Sequence, residues 1–67
     1  MIKQRKPLAN DMVITILVSS NPKRPWGAAY QRFDLYREGM TVGEFLALGG
    51  TRGDLWYDQD HDFIRVI

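Results

Sequence analysis

The side chains best suited to chemistry crowd into Asp58-Gln59-Asp60-His61-Asp62, where three carboxylates flank the only imidazole of the 67-residue chain. Acids at alternate positions open a calcium-binding loop, but the sixth position of such a loop must be a Gly for its sharp turn and is Phe63 here. His61 beside Asp60 or Asp62 could form only a weak metal site, and a lone exposed imidazole is the simpler reading. Nucleophiles are no better provided. Cys is absent, and Ser19 and Ser20 lack the G-x-S-x-G turn that exposes a catalytic serine. Gly49, Gly50 and Gly53 are not followed by the Lys-Ser/Thr that completes a phosphate-binding loop. Arg52-Gly53-Asp54 spells an adhesion tripeptide and, without a disulfide framework around it, is read as coincidence. No metal, cofactor or enzymatic activity is expected.

Recognition chemistry is better represented. Residues 20–27, SNPKRPWG, place Lys23, Arg24 and Trp26 in a loop punctuated by two prolines and a glycine. Two cations beside an aromatic can hold a phosphate and stack a base; the competing reading, favoured for Trp26, folds the indole back onto the core. Arg32 and Arg37 lie off the apolar face of the segment that follows and are expected to be exposed. Residues 1–37 carry a balance of +5 and residues 38–67 one of −4, although the whole chain is only +1. Such asymmetry suggests an interaction surface. Residues 1–11, with Lys3, Arg5 and Lys6, read as a flexible basic arm of the kind that can reach a DNA groove or backbone. Residues 12–67 then form one small domain.

The elements that must position these groups can be read from periodicity and caps. Residues 12–19, MVITILVS, are rich in β-branched side chains between turn formers and predict a buried strand. The only comparable partner is residues 63–67, FIRVI, which implies a small antiparallel sheet joining the two ends. Residues 28–38 predict a helix with Ala29, Phe33, Tyr36 and then Met40 on one face, closed by Gly39. Thr41-Val42-Gly43-Glu44 is a capping box, with Met40 and Phe45 placed as a hydrophobic staple. It starts a helix over residues 41–48 with Val42, Phe45, Leu46 and Leu48 inward and Gly49 as its left-handed stop. Thr51 caps whatever follows, with Asp54 at the N3 position. Residues 51–62 read either as a third helix or as a hairpin running into residues 63–67. The fold class is therefore α+β: strand, three short helices, strand, or strand, two helices, hairpin.

A domain this small leaves about 40% of its unfolded surface uncovered and leans on every contact it has. The absence of Cys favours a reducing compartment, and the cytoplasm is expected. The longest apolar run, residues 12–18 interrupted by Thr15, is far shorter than the ~20 residues of a membrane span, so no membrane is expected among the partners.

The run GMTVGEFLALGGTRGDLWYDQDHDFIRV, about half the chain, resembles a minimal winged helix-turn-helix. It shares a first helix ended by Gly, a Thr-capped second helix, and a third helix leading into an aliphatic strand. The chain is also similar to short proteins of bacteria and their phages, which implies no activity. Winged helices dock the start of the third helix in duplex DNA, so the resemblance implies contacts from Thr51, Arg52, Trp56 and Tyr57. The third segment departs from that role, because Asp54, Asp58, Asp60 and Asp62 would face phosphates. DNA contact would then lean on the arm and on Lys23, Arg24, Arg32 and Arg37. The expected function is a small DNA-binding accessory or regulatory protein. The alternative is a protein-interaction module, of the kind a phage inhibitor uses, that docks an acidic aromatic face of Trp56, Tyr57, Asp58 and Asp60 on a basic partner protein. The +5 half of one copy can also meet the −4 half of another, which makes a homodimer a further expectation.

Overall fold

The computed structural model describes residues 7–67. Five short elements follow in the order β1 (Ile14–Ile16), α1 (Ala28–Phe33), α2 (Val42–Ala47), α3 (Arg52–Asp60) and β2 (Ile64–Val66). The α+β layout is strand, three helices, strand; the hairpin alternative for residues 51–62 does not occur. The strands pair antiparallel with Ile14 opposite Val66 and Ile16 opposite Ile64. Hydrogen bonds between Val13 and Ile67, and from the Leu17 N–H to the Phe63 carbonyl, extend the pairing at both ends. The expected strands are thus present but shorter. The other edge of β1 is also occupied: Val13 bridges Thr41, and the Ile14 N–H donates to the Met40 carbonyl. β1 therefore runs between β2 and the entry to α2.

Both α2 and α3 are delimited by local chemistry. At α2, the Thr41 hydroxyl accepts from the Glu44 N–H at 3.2 Å while Glu44 accepts from the Thr41 N–H at 2.8 Å. At α3, Thr51 and Asp54 make the same reciprocal pair at 3.0 and 3.1 Å. The C-termini also match. The Gly49 and Gly50 N–H groups return to the Leu46 and Phe45 carbonyls, and the Asp62 and Phe63 N–H groups to those of Gln59 and Asp58. These are paired Schellman closures, which need a left-handed residue just past the helix. Gly49 supplies it at φ +111° as expected; Asp62 supplies it at φ +59°, at a steric cost glycine would avoid. Gly50 is required for another reason: a Cβ there would lie 2.2 Å from the Phe45 ring.

α1 is shorter than its periodicity suggests. After Phe33 the chain continues in tight turns, with the Leu35 and Tyr36 N–H groups bonding three residues back. The Arg37 guanidinium accompanies them by donating from Nη1 to the Asp34 and Tyr36 carbonyls. Phe33, Tyr36 and Met40 still turn inward. They join Ile14, Val42, Phe45, Leu55, Ile64 and Val66 in one core, where Tyr36 stacks on Phe45 at 4.4 Å between centroids. Leu8, within the expected arm, is also part of this core, whereas Lys3, Arg5 and Lys6 lie outside the described residues. Leu48 does not face inward as expected. It sits at the C-cap of α2 and is 57% exposed.

Candidate functional site

The residues singled out for recognition converge where the 20–27 loop meets α1 and α3, but their roles differ from those expected. Asp58 was expected on an exposed acidic face. It is 1% exposed, because Leu55 and Asp58 lie three residues apart on the inward side of α3. A carboxylate there must be paired and hydrogen-bonded. Lys23 Nζ contacts Asp58 Oδ1 at 2.6 Å, an ion contact rather than an aligned hydrogen bond, and the Tyr36 hydroxyl donates to Oδ2 at 2.7 Å. The Lys23 ammonium also sits 4.2, 5.4 and 5.8 Å from the ring centres of Tyr57, Phe63 and Phe33. Burial first, and then the bond to Asp58, push the Tyr36 phenol far above its ordinary pKa. Lys23, expected to meet a phosphate, is instead an internal counterion with 13% of its side chain exposed.

Arg32 is similarly committed. Its Nε donates to Asp54 Oδ2 at 2.7 Å, so it is half-buried rather than exposed as expected. The hydrogen bond to Asp54 raises the guanidinium pKa, and the Asp54 charge adds to this. Burial works against ionisation of Asp54, but the bonds from Arg32 and Thr51 outweigh it and hold its pKa below the usual value. Between these pairs lies an open cleft of about 460 Å³ lined by Lys23, Ala29, Arg32, Gly53, Asp54 and Tyr57. Its walls are salt-bridged, and the Thr51 hydroxyl in its lining accepts from the Asp54 N–H. Among the described residues, no cluster of His, Asp and Glu is arranged to hold a metal ion, and no helix is long and apolar enough to cross a membrane.

Thr51 and Tyr57 line this cleft with Lys23 and Arg32, whereas the other expected contacts are dispersed. Arg37 is exposed with its Nη1 pinned to carbonyls. Thr51 spends its hydroxyl on the α3 cap, and Arg52 reaches back to the Leu8 carbonyl at 2.8 Å. Trp56 is half-buried against the core. Tyr57 is 51% exposed and stacks on His61 at 4.0 Å. Asp60 is exposed. The acidic aromatic face is therefore reduced, because Asp58 leaves it and Trp56 turns partly away.

Trp26 reverses its expectation outright. It does not fold onto the core; it is 92% exposed. The loop beneath it is held firmly. Asn21 donates from Nδ2 to the Tyr30 carbonyl and to Asp34, and its Oδ1 accepts from the Lys23 N–H. The Gly27 N–H closes a turn onto the Arg24 carbonyl. With Lys23 locked to Asp58, the root of the loop is fixed, while Arg24, Pro25 and Trp26 project into solvent. Two prolines and a glycine mark this segment as a loop in the sequence; nothing in the composition says which way its indole points. Comparison with protein-family models, with curated proteins and with solved structures finds no match to this chain.

Proposed function

We propose that this protein is a small non-enzymatic binding module that docks on a partner protein through its 22–27 loop, with Trp26 as the anchor. The supporting observation is a tryptophan 92% exposed on a loop whose root is locked by a buried ion pair. Tryptophan and arginine are the residues most enriched at interface hot spots. A rigid display loses little conformational entropy on binding. The test is capture of protein partners by the immobilised chain, compared with Trp26→Ala and Tyr57→Ala. Loss of capture with Trp26→Ala alone supports the reading; equal capture by the native chain and Trp26→Ala overturns it.

A second reading, duplex DNA binding in the manner of a winged helix, draws on the same loop, because Arg24 and Trp26 together could hold a phosphate and stack a base. Three of the nine Lys and Arg fall in residues 1–6, so residues 7–67 carry six against all eight Asp and Glu. The folded body is thus slightly acidic and supplies little of the phosphate neutralisation that DNA affinity needs. Anisotropy of a labelled random duplex at low and moderate salt separates the two readings. Steeply salt-dependent binding favours DNA, and none at low salt leaves the protein-binding reading.

A further inference from the structure

The exposed indole has a counterpart on the same chain. A groove of about 360 Å³ is lined by Arg37, Met40, Glu44, Ala47 and Leu48 and is largely apolar. Met40 is part of its floor and belongs to the core, while the exposed Leu48 side chain forms a wall. Two of the lining side chains are polar, and hydrogen bonds fix them in place. Glu44 Oε1 is committed to the Thr41 N–H, and Arg37 Nη1 to two carbonyls. A guanidinium held in this way offers a flat cationic face to an aromatic ring, and a carboxylate beside it offers an acceptor to an indole N–H or a counterion to a guanidinium.

We propose that this groove receives Trp26 of a second copy of the same chain, with Arg24 of the incoming loop directed at Glu44. The proposal rests on the reading of Trp26 as an anchor and names what it anchors to. Three features match. The indole is the most exposed large apolar side chain described, and the groove supplies the apolar wall it lacks. The incoming turn is cationic at Arg24, and the groove carries a carboxylate at Glu44. The indole face and the Arg37 guanidinium form a cation–π pair. A 67-residue domain that leaves Trp26 and Leu48 in water gains by covering both. The two patches differ, so the contact is heterologous. One side chain seated in a groove of about 360 Å³ makes a small contact, and small contacts give weak, concentration-dependent association.

The test uses complementary variants at exposed positions, where neither substitution disturbs the core. Trp26→Ala keeps the groove and loses the indole; Leu48→Glu keeps the indole and blocks the groove. Sedimentation velocity up to about 1 mM should show the native chain associating as concentration rises and each variant alone staying monomeric. The two variants mixed should form a one-to-one complex. In that mixture, amide NMR shifts of labelled Trp26→Ala should move at Arg37, Met40, Glu44, Ala47 and Leu48. A native chain that remains monomeric overturns the proposal, as does association that survives either substitution. If the chain is monomeric yet capture of another protein still requires Trp26, self-docking fails and the binding-module reading stands. If self-association is independent of Trp26 and no Trp26-dependent capture occurs, both fail.

Discussion

Replacing Lys23 by Met should cost this protein most of its stability. The substitution keeps an apolar stem among Phe33, Tyr57 and Phe63 but removes the ammonium that contacts Asp58 Oδ1 at 2.6 Å. Asp58 then loses its buried counterion and keeps the Tyr36 hydroxyl and the field of the Arg32 guanidinium. Removing one partner of a buried ion pair costs about 3–5 kcal/mol. Both side chains are well shielded, Lys23 at 13% and Asp58 at 2% exposure, so solvent screening takes little from this figure. Stability of about 0.05–0.15 kcal/mol per residue gives a chain of this length roughly 3–10 kcal/mol in all. Lys23→Met should therefore be partly or wholly unfolded at 25 °C. Adding Asp58→Asn removes the orphaned charge and leaves an amide oxygen for the Tyr36 hydroxyl, so the double variant should recover most of the loss. Urea unfolding followed by circular dichroism measures both. With a slope of ~1 kcal/mol/M, typical of small domains, the single variant should lower the midpoint by about 3 M or lose the transition altogether. A Lys23→Met midpoint within 1 M of the native one, or a double variant no better than the single, would refute the argument that the pair is held by the need to neutralise Asp58.

Other consequences can be checked with the same unfolding assay. Gly50→Ala drives a methyl group to 2.2 Å from a Phe45 ring that is itself stacked on Tyr36, so it should destabilise by about 1–3 kcal/mol. Asp62→Gly relieves the left-handed backbone at φ +59° and should raise stability by roughly 0.5–1 kcal/mol; a neutral or lower midpoint would mean the Asp62 side chain contributes elsewhere. The Tyr36 phenol is neutral when folded and ionises at its ordinary pKa of 10.0 when unfolded. Its contribution is complete below pH 10.0 and declines above it, by about 1.4 kcal/mol per pH unit. Tyr36→Phe should remove that decline, and the difference between the two pH profiles isolates this residue from the other titrating groups.

Much of the local architecture was decided by short-range chemistry and is legible in the sequence. Thr41 with Glu44 and Thr51 with Asp54 each place a hydroxyl and a carboxylate three residues apart, and such caps form wherever the chain turns helical. Gly49 is a stop because only glycine takes φ +111° freely. The β-branched run around Ile14 and the aliphatic run around Ile64 are the two segments that gain most from pairing, and they pair. The orientation of the charged and aromatic groups was not legible, because it depends on contacts between residues far apart in the chain. Asp58 and Asp60 look alike in sequence; only the packing of α3 on Tyr36 and Lys23 buries one and leaves the other exposed. Arg32 looks like a free cation until α1 lies beside Asp54, 22 residues later. Trp26 looks like a core residue until Phe33, Tyr36 and Phe45 have filled the interior and the Asn21 and Lys23 contacts have fixed its loop. Caps and strand propensity act within a few residues and so are carried by composition and spacing. Which ion pairs close internally, and which aromatic is left outside, is settled only when the elements compete for one small core.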